Sequence, residues 1–204
     1  MSASHRPSPR ITRRRLHALA IAAAMSLGGL PAHGAEGVTP ISFDPLMTVS
    51  STRLLMNGHG SRKKAYFWMY DLALYLPGKA YTAEKAVAME GPKVLSFVAR
   101  RDLPGGDLGR LFVKGMGLNA SPEAMQRHVK DVTRLVEVFA GKPMLHPGDD
   151  FRMEYVPGKG TTFFITGQAQ GEPVGDAEFF AMALNIWLGR DPADEKLKAA
   201  LLGT

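Results

Sequence analysis

Two side chains, Arg62 and Tyr70, have chemistry that could hold an anionic group. The Arg62 guanidinium could bind a carboxylate through two parallel hydrogen bonds and would keep its charge when partly buried. Because Lys63 and Lys64 follow directly, Arg62 could equally be an exposed cation at a strand end. Tyr70 could place a hydroxyl beside the same anion, or it could be a core aromatic whose hydroxyl bonds to the backbone.

Familiar catalytic and metal-binding patterns are missing from the rest of the sequence. The histidines after residue 35, His59, His128 and His146, lack the spacing of metal ligands, and His59 is predicted to lie in a turn. No Ser-His-Asp set or paired carboxylates stand out, so no metal or cofactor is expected. The GxG at 58–60 is interpreted as a turn or a bulge and the PGKG at 157–160 as a turn, because a strand and not a helix follows each.

A long apolar strand is predicted to position these groups. Residues 64–76 (KAYFWMYDLALYL) place Tyr70 and Leu72 on one face and Asp71 and Tyr75 on the other, and both faces are largely apolar. Helices must therefore cover one face, and more protein or a ligand must cover the other.

The pattern of apolar and turn residues along the rest of the chain predicts groups of strands and groups of helices, which follow one another and do not alternate singly. A short strand near 47–51, a strand at 94–99 and a hairpin at 151–166 are expected. Helices are predicted at 83–89, 107–117, from 122 to about 139 with a buried stripe that includes Val129, at 177–188, and after Asp191-Pro192. This order predicts an α+β fold with helices packed on a mainly antiparallel sheet.

The N-terminal residues have the pattern of a secretory signal peptide. Five arginines precede an apolar run over 16–30, which ends in small residues at 32–35. We expect cleavage after Gly34 or Ala35, with an uncleaved anchor as the alternative. The chain would then comprise a signal peptide (1–35), a flexible lead-in (36–45) and one domain (46–204), located in the periplasm or secreted.

Charge and cysteine content exclude several classes of function. The five arginines and the absence of acids in residues 1–35 mean that the formal charge of +6 falls to +1 for the rest of the chain. No nucleic-acid partner is expected from so small a charge, and membrane contact is expected only through the signal peptide. Without cysteine the exported domain has no disulfides and must be stabilised by its core.

Several segments, in this order, resemble the chalcone isomerase-like family, and in particular its exported bacterial branch. They are residues 57–76, the strand that follows residues 91–93, the helical middle, residues 148–161 (GDDFRMEYVPGKGT) and residues 179–189 (FFAMALNIWLG). The similarity extends over residues 54–203. It implies an open-faced β-sandwich in which helices pack against a large antiparallel sheet and a ligand cleft lies between them.

The resemblance also implies which residues line the cleft. The family's plant enzymes close a chalcone to a flavanone, with an arginine that stabilises the developing oxyanion and with threonine, tyrosine and asparagine as helpers. In related fatty-acid binders the same arginine and a tyrosine hold the carboxylate. Arg62 matches the arginine, and Tyr70 replaces the threonine, as in the binders. Leu111 and Leu118 replace the enzymes' tyrosine and asparagine, with Asn119 displaced by one position.

The leading hypothesis is an exported, non-catalytic binding protein for a fatty acid or a similar amphipathic carboxylate. The head group would lie at Arg62 and Tyr70. The tail would run along apolar residues of the cleft and of the buried helix, namely Leu72, Leu111, Phe112 and Leu118, with Phe180 or Leu184.

Two alternatives remain open. One is an isomerase or lyase in which Arg62 stabilises an oxyanion or enolate. The other is an envelope interaction protein whose cleft is filled by its own side chains, which predicts that no ligand-sized cavity exists.

Overall fold

A large antiparallel sheet forms the centre of the protein, for which a computed structural model describes residues 41–204. The predicted signal peptide (1–35) and residues 36–40 of the lead-in lie outside these residues. Seven strands pair in the order β1-β2-β3-β4-β7-β8-β9, and β5 pairs with β6 in a separate two-stranded sheet. The strands are β1 (Leu46–Val49), β2 (Thr52–Lys64), β3 (Phe67–Leu76), β4 (Lys93–Ala99), β5 (Leu103–Pro104), β6 (Met144–Leu145), β7 (Asp150–Val156), β8 (Gly160–Ile165) and β9 (Gln168–Ala169).

Six helices accompany the sheet in the described part of the chain, so the predicted α+β class and the large antiparallel sheet are confirmed. They are α1 (Ala83–Ala88), α2 (Gly105–Asn119), α3 (Pro122–Arg127), α4 (Val129–Ala140), α5 (Ala177–Leu188) and α6 (Glu195–Leu202). Within residues 41–204, none of these helices combines the length and the apolarity of a membrane span.

The strand predicted at 64–76 begins only at Phe67, because the chain reverses at residues 65–66. Residues 52–64 form a strand of their own, β2, so His59 lies in a strand and not in the predicted turn. Of the turn or bulge predicted at residues 58–60, a bulge is present, because the register of β2 against β3 shifts between Met56 and Gly58. The glycine is needed for packing, since a Cβ on Gly58 would lie 2.2 Å from the carbonyl oxygen of Ala200 in α6.

The buried amide of Asn57 fixes α6 and the segment after β3 against the middle of β2. The Asn57 side chain donates to the carbonyl oxygens of Ala80 (2.8 Å) and Leu201 (2.7 Å) and accepts from the Ala80 N–H (2.7 Å). Each partner is a backbone group that helix or strand hydrogen bonding leaves free, so the amide satisfies three polar groups that burial would otherwise penalise.

Both faces of β3 are covered, as its composition requires. Leu72 and Leu74 belong to the main core, which they share with the helices. On the other face, Ala73 and Tyr75 pack with residues of β1 and with Phe43. The Tyr75 hydroxyl also donates to the carbonyl oxygen of Asp44 at 2.9 Å. The chain's own residues 43–49 therefore cover the second face of the strand.

The predicted helix from 122 to 139 is interrupted at His128. The His128 ring turns inward, where Nδ1 lies 2.9 Å from Asp131 and Nε2 lies 3.0 Å from Glu178 of α5. The interruption changes the buried face of the following helix, so Val129, predicted to be buried, is 56% exposed. The last helix is capped by Asp194 rather than Asp191, because the Asp194 carboxylate accepts from the N–H of residue 197 at 3.0 Å.

Candidate functional site

A cavity of about 210 Å³ lies between the β2–β3 hairpin and helices α2 and α5. Its polar side chains are Arg62, Tyr70, Lys114 and Asp191. Most of the remaining wall is apolar and comes from α2, from the end of α5 and from the segment before α6, with Leu108, Leu111, Phe112, Leu118, Ile186, Trp187, Pro192 and Ala193. The cavity is thus an apolar space with charged groups along part of its wall.

The hairpin places Arg62 and Tyr70 side by side. They are directly paired across β2 and β3, so both side chains point to the helix-covered face. The Arg62 guanidinium carbon lies 5.9 Å from the centre of the Tyr70 ring. The pairing register shifts immediately after Arg62, as a β-bulge does when it redirects a side chain.

Arg62 is partly buried and lacks a counter-ion within residues 41–204. Its Nε–H is buried and finds no acceptor there. No carboxylate of the described chain lies within ion-pair distance of it, although seven other lysine and arginine side chains form such pairs. An unpaired buried donor on a cation has a strong preference for an incoming anion.

Tyr70 is held in place by the indole of Trp187, whose Nε1–H donates to the Tyr70 hydroxyl at 2.8 Å. Burial raises the pKa of Tyr70 above its ordinary value, although the Arg62 charge and the hydrogen bonds from Trp187 and Arg62 act to lower it. The hydroxyl therefore stays protonated at neutral pH. Its own proton has no acceptor within the described chain, so Tyr70 is a second donor available to a ligand.

Helix α2 presents one apolar face to the cavity. Leu108, Leu111, Gly115 and Leu118 recur at intervals of three and four, which places them on one side of the helix. A Cβ on Gly115 would lie 2.8 Å from the side chain of Ile186, so this glycine lets α2 and α5 approach closely. Leu111 and Leu118 are 45% and 50% exposed, which extends the apolar surface towards solvent.

A second, smaller void of about 30 Å³ lies deeper in the core. Tyr70, Leu108, Phe112 and Trp187 border both spaces, so these four side chains form the partition between them. A shift of the Phe112 ring would join the void to the cavity and lengthen the apolar space.

The predicted site residues fall into two groups. Arg62, Tyr70, Leu111, Phe112 and Leu118 border the cavity. The other three predicted tail contacts are fully buried in the main core and do not border it, namely Leu72, Phe180 and Leu184.

Asn119, the residue displaced by one from the position of the enzymes' asparagine, has a structural role. Its amide donates to the carbonyl oxygens of Gly115 and Asp191, both at 3.0 Å, and accepts from the Asp191 N–H at 2.9 Å. The amide thereby ties the end of α2 to the segment before α6, and it does not border the cavity.

Three polar or aromatic cavity residues were missed by sequence reasoning. The sequence around Trp187 shows only that it belongs to an apolar helix. Its role in the cavity is to donate a hydrogen bond to Tyr70, which is 117 residues away in the chain. Lys114 could have been found, because it lies three residues after Leu111 on the same helical face. Asp191 comes from a loop, and its carboxylate is 3.4 Å from the Arg190 guanidinium, which compensates its charge.

The histidines form no metal site in residues 41–204, where no group of three or more potential ligands is close enough to hold an ion. His59 lies in β2, paired with Ala73, and its ring centre is 5.9 Å from that of Phe43, on the face opposite the cavity. His146 is exposed and lies 2.8 Å from Asp102.

Comparison with known proteins identifies the family. No curated protein sequence matches the chain. Among solved structures, a fatty-acid binding protein of Arabidopsis thaliana superimposes with a TM-score of 0.63 and 13% identity, and the match covers 82% of this chain and 94% of that one. At this identity the match establishes the fold. The sequence profile described as chalcone isomerase-like matches residues 35–203. With a match over most of its length, the chain belongs to the chalcone isomerase-like family.

Proposed function

We propose that this protein binds a fatty acid or a similar amphipathic carboxylate in the cavity between the β2–β3 hairpin and α2, without turning it over. The carboxylate lies against Arg62 and Tyr70, and the tail lies along the apolar wall of α2 and α5. The observation that carries the proposal is the pair of unsatisfied donors, the Arg62 Nε–H and the Tyr70 hydroxyl, on one side of an apolar space.

A carboxylate matches these donors in number and charge. Its two oxygens can accept from the guanidinium and from the hydroxyl at once, and hydrogen bonds to a charged group contribute about 1.5–3 kcal/mol each. Lys114 adds a second positive charge to the cavity, whereas the Asp191 charge is compensated by Arg190. Arg62 and Lys114 therefore favour an anion in the cavity, although the Asp194 charge acts on Tyr70 in the opposite direction.

The size and the wall of the cavity favour a medium-length tail. At about 210 Å³ it is smaller than the roughly 300–1,000 Å³ typical of sites for drug-sized ligands. A longer tail would continue over the exposed parts of Leu111 and Leu118 or enter the deeper void past Phe112. The fold relative named as a fatty-acid binding protein is consistent with such a ligand.

The alternatives receive less support. The positions matched to the enzymes' tyrosine and asparagine are leucines, Leu111 and Leu118, that border the cavity, so two polar helpers of the isomerase are missing there. The interaction hypothesis predicts a cleft filled by side chains, and a cavity of about 210 Å³ argues against it.

We further propose that binding takes place outside the cytoplasm, as in the exported bacterial branch of the family. The arginine-rich, apolar N-terminal 35 residues support this location. Peptide mapping of the N-terminus after expression in a Gram-negative host tests it directly, because export predicts a new N-terminus near residue 35 or 36 in the periplasmic fraction.

Calorimetric titration with decanoate and with decanol tests the binding site. The two ligands share a tail and differ in the head group. Arg62→Gln should weaken decanoate binding about 10- to 150-fold, corresponding to the loss of about 1.5–3 kcal/mol, and leave decanol binding nearly unchanged. Arg62→Lys should restore part of the affinity, because lysine keeps the charge but not the two-pronged geometry.

Arg53→Gln is the matched control, since Arg53 is an exposed arginine of the same strand and does not border the cavity. Equal decanoate affinity in the wild type and Arg62→Gln would refute the placement of the head group. Failure of octanoate, decanoate and palmitate alike to bind the wild type would refute the function itself.

A further inference from the structure

The tip of the β2–β3 hairpin is an exposed aromatic surface surrounded by cations. The chain reverses at residues 65–66, where Lys64 pairs with Phe67. Tyr66 is 96% exposed and Phe67 is 58% exposed, and Trp68 next to them is partly exposed. Single exposed apolar residues are ordinary, but three consecutive aromatics at one turn are a patch that needs an explanation.

The charges at this tip are all positive. The Lys63 ammonium lies 3.6 Å from the centre of the Trp68 ring, and the Arg101 guanidinium carbon lies 4.6 Å from the centre of the Phe67 ring. Lys64 adds a third cation. None of the three lysine and arginine side chains forms an ion pair with residues 41–204.

The acids closest in sequence are already engaged elsewhere. Asp71 forms an ion pair with Arg100 at 3.2 Å, and the Asp102 carboxylate lies 2.8 Å from the His146 ring. The ion pairs within residues 41–204 therefore leave Lys63, Lys64 and Arg101 without a paired carboxylate, although the formal charge of the chain after residue 35 is only +1.

From these observations we infer that the hairpin tip docks on a lipid surface that carries anionic headgroups. Exposed aromatic rings flanked by lysine and arginine are the composition of a membrane-interface anchor, in which the rings enter the headgroup region and the cations contact lipid phosphates. Charge complementarity selects the anionic lipid surface as the occupant. The inference does not depend on what the cavity binds.

Docking at the tip would bring the cavity close to the membrane. Arg62 precedes the reversal by three residues, which corresponds to about 10 Å along an extended strand. Interfacial segments bury their apolar side about 5–10 Å deep, so a docked tip would hold Arg62 near headgroup level.

Quenching of Trp68 fluorescence by brominated lipid tests the inference at the tip itself. The full chain is mixed with vesicles of brominated phosphatidylcholine, with and without one third phosphatidylglycerol, in the absence of fatty acid. Trp187 is 2% exposed in the core and contributes a constant background. We expect quenching that requires phosphatidylglycerol and falls at high salt.

Two pairs of substitutions should reduce the apparent affinity for these vesicles. Tyr66→Ser with Phe67→Ser should weaken it by at least about tenfold, because two aromatic side chains lose their burial. Lys64→Gln with Arg101→Gln should weaken it about 25-fold, or about fivefold per charge. Both pairs leave Lys63 over the Trp68 ring, so the fluorescence of the free protein should stay similar.

Tyr81→Ser is the control, because Tyr81 is 62% exposed but belongs to the loop before α1. It should leave quenching unchanged. Absence of quenching in the wild type, or equal quenching in the Tyr66→Ser and Phe67→Ser variant, would refute a lipid partner and direct attention to a protein partner for the tip. Since no fatty acid is present, neither result bears on carboxylate binding.

Discussion

Replacing Tyr70 by phenylalanine should destabilise the protein even before a ligand is considered. The hydroxyl is the acceptor for the Trp187 indole N–H at 2.8 Å, and both residues are buried, at 7% and 2% exposure. Tyr70→Phe leaves that N–H in the core without a partner, which costs about 1–3 kcal/mol. For a protein of this size, we expect the melting temperature to fall by about 2–12 °C.

A double-mutant cycle separates the hydrogen bond from packing. Trp187→Phe removes the donor and also part of a large side chain, so its own cost includes a cavity. If the bond carries the effect of Tyr70→Phe, that substitution should cost much less in the Trp187→Phe background. The free energy of unfolding from urea titration is the quantity to compare, with a coupling of about 1 kcal/mol or more expected.

Tyr155→Phe provides the comparison for loss of a hydroxyl alone. Tyr155 is as buried as Tyr70, at 7% exposure, and its hydroxyl has no hydrogen-bond partner in the described chain. We expect Tyr155→Phe to change the free energy of unfolding by less than about 0.5 kcal/mol. If Tyr70→Phe and Tyr155→Phe changed the unfolding free energy equally, the indole–hydroxyl bond would not be the support of the cavity wall that we describe.

Two further predictions concern the frame around the site. Burial acts to lower the pKa of His128, but hydrogen bonds to Asp131 and Glu178 together raise it above its ordinary value. Its stabilising contribution is therefore complete below about pH 6.5 and lost as pH rises through the raised pKa, so urea titrations should show this loss in the wild type and not in His128→Gln. Gly58→Ala should lower the free energy of unfolding by about 1–3 kcal/mol, because the added Cβ would meet the backbone of α6. Gly117→Ala should raise it by about 0.5–1 kcal/mol in the same assay, because an added Cβ there has nothing within 4 Å and alanine favours the helix.

Elements whose signals are local could be predicted from the sequence. Helix α5 was predicted with its observed limits, because Asp176 caps it by accepting from the N–H of Glu178 at 2.9 Å and an apolar run follows. Strand β4 and the β7–β8 hairpin were likewise found to within a residue or two. In each case the pattern of apolar residues and the position of the turn or capping residues predict the same element.

Elements that depend on distant contacts could not be predicted. The sequence of residues 57–60 allows a turn or a bulge, since Asn and Gly favour both. The structure has a bulged strand there, with α6 packed on Gly58 and with Asn57 bonded to Leu201. The interruption at His128 likewise depends on Glu178, 50 residues away. Local propensity is a weak guide where such tertiary contacts decide the backbone.

The candidate site shows the same division. The placement of Arg62 and Tyr70 rested on family resemblance, and the structure sets them side by side at the cavity. Leu72, one of the predicted tail contacts, shares a face with Tyr70 but lies deeper, under the helices, and does not border the cavity. Which residue of a face borders a cavity depends on how the helices pack over the sheet, and the sequence of one strand does not contain that information.

The buried Arg62 Nε–H carries an energetic cost that a carboxylate would relieve. A buried donor without an acceptor costs about 1–3 kcal/mol, and more on a charged group, and the Arg62 Nε–H is such a donor. Replacing Arg62 by an apolar residue could therefore stabilise the unliganded fold while abolishing binding. Loss of stability in favour of binding is typical of a ligand site. If Arg62 were instead a solvated cation at a strand end, its replacement would not stabilise the fold. A variant of Arg62 that is more stable but does not bind the carboxylate would thus indicate a binding role for this residue and not a merely structural one.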